Sequence, residues 1–149
     1  MATTVGTEST IQDLVTNLIY LERDAIAAYE STIERLSHEA LSTQVEAFRE
    51  DHLQHLSVLQ EIAAETGAEA PAEGDMKQML TTGKVAMAGL MGDAAVLKAM
   101  KTNEDDTVAA YERAASHQDA IEKSRAFFER ALADERRHRE WMERTADSL

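Results

Sequence analysis

Six ionisable residues interrupt the apolar stripes of this chain in a pattern suited to holding metal ions. One stripe steps through Leu41, Val45, Phe48, His52, His55, Leu59 and Ile62, with spacings that alternate between four and three. A second steps through Ile121, Ser124, Phe128, Ala131, Glu135, His138 and Met142 in the same way. Glu22 falls on a stripe between Leu18 and Ala25, and Glu104 on another between Met100 and Val108. Such spacing lines the core-facing side of a helix, so all six side chains are expected to point inward. Burying ionisable groups is costly unless they are paired or bind a metal. Three carboxylates and three imidazoles include no fixed cation, and two divalent ions would supply the missing charge. Residues at i and i+3 lie one helical turn apart on one face, within reach of shared ions. The plainer alternatives are that Glu22 and Glu104 sit at stripe edges beside Arg, and that His52 and His55 are satisfied core histidines.

The elements that must position these residues are helices. Ala, Glu, Leu, Arg and Met are abundant, Pro71 is the single proline, and no segment sustains a period-2 alternation. The spacing predicts a helix over about 9–36 and a second over about 37–66. Ser37 is the expected N-cap of the second, with Leu36 and Leu41 as a hydrophobic staple across it. So short a connection implies an antiparallel hairpin. Residues 67–92 read as a long, partly helical crossover, loop-like through Pro71 and Gly74 and weakly helical from Met76 to Met91. A third helix over about 93–116, capped by Asp93, and a fourth over about 119–147 form the second hairpin. A single all-α domain over 1–149 follows: a four-helix bundle of two antiparallel hairpins.

The hairpins read as copies of one another. Glu22 to Tyr29 aligns with Glu104 to Tyr111 at an offset of 82, and Asp51 to His55 aligns with Asp134 to His138 at an offset of 83. Glu22 and His52 each lie fifteen residues from a turn at Ser37. Glu104 and Glu135 are nearly equidistant from a turn near residue 120. An antiparallel hairpin sets equidistant residues side by side, so each carboxylate should meet its i, i+3 pair at one level of the bundle. Asp51 and Asp134 each precede a motif by one residue. Each either accepts the outer imidazole N–H of a histidine across the bundle or is an ordinary surface aspartate. Tyr29 and Tyr111 are expected in the core with hydroxyls near the site, as candidate catalytic side chains.

These residues together resemble the ferritin-like superfamily, and within it rubrerythrin, bacterioferritin and their small bacterial relatives. The resemblance spans essentially the whole chain. Di-iron and di-manganese bundles of this kind take one Glu from each of two helices and Glu-x-x-His from each of the others. Glu22, Glu104, Glu135, His138 and His55 match that pattern, and Tyr29 matches a tyrosine seven residues after the first ligand. His52 departs from it, standing where the family has Glu. The resemblance implies a ferritin-like four-helix bundle holding two metal ions, iron first, with zinc or manganese as alternatives. It implies ferroxidase or peroxidase-type chemistry with dioxygen or peroxide, in a stress-defence role. The competing reading is a metal-binding structural or interaction module without turnover.

Composition narrows the remaining possibilities. The 149 residues include no Cys, which excludes disulfides, thiolate zinc sites and iron–sulfur clusters. Peroxidase turnover would then need an external electron donor. A formal net charge of -13 disfavours nucleic acid and anionic membrane surfaces as partners. Neither a signal peptide nor a run of about 18 apolar residues is evident, so the expectation is a cytoplasmic protein. A homodimer through an outer helical face is the expected assembly.

Overall fold

A computed structural model of the chain describes residues 3–72 and 91–149. Four helices account for most of them: α1 (Ile11–Arg35), α2 (Glu39–Thr66), α3 (Asp93–Ala115) and α4 (Glu122–Ser148). The all-α bundle expected from periodicity is present. Most of the predicted crossover, including the short helices expected from Met76 onward, lies outside the described residues.

Local chemistry explains the helix ends. The Thr10 hydroxyl accepts a hydrogen bond from the Asp13 N–H (3.1 Å) and opens α1. Gly67 ends α2 at φ 76°, a left-handed conformation that glycine adopts without a Cβ penalty. The Ile121 N–H donates to the Ser124 hydroxyl (3.1 Å) and opens α4. Ile121 itself is largely exposed, so the fourth apolar stripe begins at Ser124 and not at Ile121.

Direction follows from cross-helix contacts. Gln12 and Glu22 of α1 meet Thr66 and His52 of α2. Asp105 and Ala115 of α3 meet Arg139 and Arg125 of α4. Tyr29 and Glu22 of α1 meet Glu104 and Tyr111 of α3. His55 and Glu65 of α2 meet Asp134 and Lys123 of α4. Every neighbouring pair is antiparallel, so the order is up, down, down, up. The two parallel helices, α2 and α3, stand diagonally, and the connection from Thr66 to Asp93 joins opposite ends of the bundle.

Two apolar clusters fill the interior. One contains Leu14, Leu18, Leu59, Ile62, Phe127 and Phe128. The other contains Val45, Phe48, Val96, Leu97, Met100 and Met142. Between them lies a layer of buried ionisable residues: Glu22, His52, Glu104, Glu135 and His138 are fully buried and His55 nearly so.

The first turn differs from the sequence expectation. His38, not Ser37, occupies the N-cap of α2, and its side chain makes no capping bond. Gly92 is the N-cap of α3, and Asp93 is its first helical residue. Ser37 and Asp93 instead meet across the bundle. The Asp93 carboxylate accepts from the Ser37 N–H (2.8 Å), the Ser37 hydroxyl (3.0 Å) and the His38 N–H (3.2 Å). His38 Nδ1 lies 2.5 Å from the same carboxylate. The start of α3 is thereby tied to the turn of the first hairpin. Burial would raise the Asp93 pKa, but the Ser37 and His38 hydrogen bonds hold it down at about 2. Asp93→Ala should lower stability by about 2 kcal/mol at neutral pH, since several charge-assisted bonds disappear together. The folded pKa is depressed, so the stabilisation is present above the ordinary 3.8 and fades as pH falls toward about 2. Urea denaturation of both proteins across that range checks the size and the fade.

Candidate metal centre

The six predicted ligands, Glu22, His52, His55, Glu104, Glu135 and His138, lie in the polar layer between the apolar clusters; Tyr29 and Tyr111 border it from the clusters, and Asp51 and Asp134 lie outside it, partly exposed. Two groups of four side chains form there, each with one donor atom per residue and all donors within 4.8 Å of one another. The first group is Glu22, His52, His55 and Glu135. The second is His52, Glu104, Glu135 and His138. His52 and Glu135 belong to both. The sequence stripes place these residues on the inner faces, and the antiparallel register brings them to one level.

The internal repeat is realised as paired hydrogen bonds across the bundle. The Tyr29 hydroxyl donates to Glu104 Oε1, and the Tyr111 hydroxyl donates to Glu22 Oε1 (2.7 Å). His55 Nε2 donates to Asp134 Oδ2 (2.8 Å), and His138 Nε2 donates to Asp51 Oδ2 (2.8 Å). Asp51 and Asp134 are therefore partners of the histidines, the alternative to ordinary surface aspartates. By occupying Nε2 they turn Nδ1 of each ring inward. A carboxylate that fixes the tautomer and orientation of an imidazole in this way also raises its basicity toward a metal. The Arg137 guanidinium donates to both Asp51 (2.8 Å) and Asp134 (3.2 Å) and tethers the two.

The inner atoms converge. His55 Nδ1 lies 3.3 Å from Glu22 Oε1 and 3.2 Å from Glu135 Oε1. His138 Nδ1 lies 3.6 Å from Glu135 Oε2. His52 Nδ1 lies 2.7 Å from Glu22 Oε2, while its Nε2 lies 3.4 Å from both Glu104 Oε1 and Glu135 Oε2. Among the described residues, no Lys or Arg pairs with any of the three glutamates.

Several contributors escaped the sequence analysis. The Thr107 hydroxyl lies 2.7 Å from Glu104 Oε2 and 3.0 Å from Glu135 Oε2. The repeat aligns Thr107 with Ala25, so a polar residue opposite a small apolar one was the available signal. Arg137 had no signal beyond its place in the fourth helix. His117 organises the α3–α4 turn. Its Nε2 donates to the Glu8 carbonyl (2.7 Å) and its Nδ1 accepts from the Asp119 N–H (3.1 Å).

Electrostatics divide the cluster. Burial and the adjacent Glu135 charge push Glu104 up to about 7. Burial would also raise Glu135, but the His52 charge and the close approach of Glu104, His138 and His55 hold it well below the usual carboxylate range. Glu22 is likewise lowered against burial, by His52 and His55. Burial would lower His55, but the Glu22 charge, the hydrogen bond to Asp134 and the nearby Glu135 carboxylate carry it up to about 12. His52 and His138 shift upward against burial for similar reasons. Burial and the carboxylates push both tyrosines up, so their hydroxyls stay neutral and donate.

The donor set fits metal ions. All its atoms are imidazole nitrogen or carboxylate oxygen, a combination suited to iron, manganese and zinc. Glu135 Oε1 is fully buried yet makes no well-aligned hydrogen bond. Orphaned buried oxygens are rare and call for an explanation, and a cation supplies one.

Protons and metal ions compete for these atoms, which sets opposite pH trends. In metal-free protein the raised His55 pKa stabilises the fold below 6.5, and that contribution is lost as pH climbs toward about 12. Raised Glu104 acts in the same sense, its stabilisation fading between 4.5 and about 7. Metal binding needs deprotonated ligands and strengthens with pH. Metal-free protein should therefore lose thermal stability from about pH 6 to pH 9, while the gain in Tm on adding zinc should grow over the same interval. Paired melting curves with and without metal check both slopes.

No curated protein and no solved structure matches the chain. One family model does, over residues 9–117, which covers α1 to α3 with Glu22, His52, His55 and Glu104 but stops short of Glu135 and His138. Its members are described only as a domain of unknown function, so the match groups the sequence without assigning chemistry to the centre. The chain belongs to this family, DUF2383.

Proposed function

We propose that the chain is a ferritin-like di-metal protein whose centre holds two iron ions and reacts with dioxygen or peroxide, as a ferroxidase or in defence against oxidative stress. The observation that carries this is the pair of buried four-donor groups sharing His52 and Glu135. Two ions there would balance three buried carboxylates that otherwise depend on protons. A bound pair of Fe(II) ions would supply two electrons to dioxygen or peroxide, the chemistry that the side chains alone lack.

The chain's own residues would do the rest. Glu22 and His55 would hold one ion, Glu104 and His138 the other, with His52 and Glu135 serving both. Asp134 and Asp51 keep His55 and His138 in the tautomer that turns Nδ1 inward. Tyr29 and Tyr111 hold neutral hydroxyls against Glu104 and Glu22, from which protons can be donated inside the centre. The apolar clusters on either side exclude bulk water from the layer. With no Cys in the chain, electrons for repeated peroxide turnover would come from a separate reductant.

One observation favours a second reading. The bonds from His55 to Asp134 and from His138 to Asp51 join α2 to α4, so ions at the centre would clamp the two hairpins together. A structural metal module would need nothing more.

Glu104→Ala should abolish stoichiometric metal binding, read by elemental analysis after reconstitution. Unchanged metal content in that variant would count against the centre. Protein loaded with Fe(II) should consume dioxygen or peroxide, while protein loaded with Zn(II) should not. Equal inertness of the two, together with a Tm that falls on chelation, would establish the structural module instead.

A further inference from the structure

The three buried histidines are not equivalent. His55 and His138 each commit Nε2 outward to an aspartate, leaving only Nδ1 for the centre. His52 has no such outer partner. Its Nδ1 meets Glu22 at 2.7 Å, and its Nε2 meets Glu104 and Glu135 at 3.4 Å. The ring is fully buried, lies with its centroid 4.7 Å from that of Tyr29, and stands between the His55 and His138 rings at 5.7 and 5.2 Å. Its two nitrogens thus face different four-donor groups: Nδ1 the one with Glu22 and His55, Nε2 the one with Glu104 and His138.

We propose that His52 is a bridging ligand, its imidazole binding one metal ion through Nδ1 and the other through Nε2. This inference rests on the two-metal reading above and specifies how the ions are joined. One ring N–H proton leaves to solvent as each ion binds, and the resulting imidazolate carries one negative charge. That charge stands in for the carboxylate that Glu would have provided at this position. Glu135 supports the bridge from the other helix pair, offering Oε1 on the His55 side and Oε2 on the His138 side. The ring also sets the spacing of the ions. Two metal–nitrogen bonds of about 2 Å across an imidazole hold them roughly 5.5–6 Å apart. Centres in which two ions clamp a common oxygen bring them to about 3.5–4 Å.

The test is anomalous diffraction from crystals of the full chain loaded with Zn(II), with electron paramagnetic resonance of the protein loaded with Cu(II). Two zinc peaks about 5.5–6 Å apart, on opposite sides of His52, are expected. In the copper protein, coupling through the ring should remove most of the signal per bound copper at liquid-helium temperature. His52→Gln should restore it. Should that variant fold poorly, His52→Glu keeps an ionisable ligand at the position and should bring the two zinc ions to about 3.5–4 Å. Two zinc ions at that short distance in the unaltered protein, with His52 bound on one side only, would overturn the bridge and leave the two-metal centre standing. So would an unchanged separation in His52→Glu. A single bound zinc would overturn the bridge and the two-ion stoichiometry together. No zinc bound, with the ion in excess, would overturn the metal centre itself.

Discussion

The cost of holding three glutamates away from water governs this fold. Fully buried carboxylates need compensation inside the protein, and here it comes from imidazoles, tyrosine hydroxyls and the Thr107 hydroxyl. Most of these partners sit on a different helix from the carboxylate they serve, the exceptions being Thr107 with Glu104 and His138 with Glu135. The polar layer therefore dictates which helices are neighbours and at what level they meet. The apolar clusters above and below supply area, but apolar packing tolerates small slips and exchanges of side chain. A one-turn slip of α3 against α1 would strand both Tyr29 and Tyr111 from their acceptors. Polar constraint selects the register that apolar packing alone leaves loosely specified.

Outer groups then tune the inner ones. Asp51 and Asp134 are partly exposed, so they stay ionised at little cost and orient rings that are fully or almost fully buried. Arg137 holds both aspartates and lies 5.7 Å over the Phe48 ring. The face between α2 and α4 is thus closed by a chain of charge from water to the centre. Glu104 is the weak point of this balance. Its pKa is raised first by burial and then by Glu135, a like charge competing for the same few donors.

Much of this was legible in the sequence because helical periodicity converts spacing directly into facing. A histidine or glutamate in step with leucines faces the core whatever the loops do. The repeat then fixed which residues share a level, since equal distances from a turn place side chains abreast. What escaped depends on long reach. Asp93 looks like a helix cap, and nothing local reveals that its carboxylate turns instead to Ser37 and His38, more than fifty residues away in sequence. Arg137 reaches across to another helix through a flexible side chain, and its spacing says only that it is not in the core. Ile121 fits the apolar stripe of α4 in number but lies before the helix begins, where helical facing no longer applies. Helix boundaries therefore misled wherever a cap was read from residue type alone.

The two hairpins exchange hydrogen bonds in matched pairs, Tyr29 with Glu104 and Tyr111 with Glu22, yet among the six candidate ligands one pair is unmatched in kind: His52 answers Glu135. Two separate, identical hairpins assembling about a twofold axis would have to carry the same residue at both places. Both would be His or both Glu, and any ion pair between them would be symmetric. Covalent continuity removes that restriction. One chain can place a ring with two nitrogens on one side of the axis and a carboxylate on the other, so the two halves of the centre can differ in charge, in affinity and in the order in which they fill.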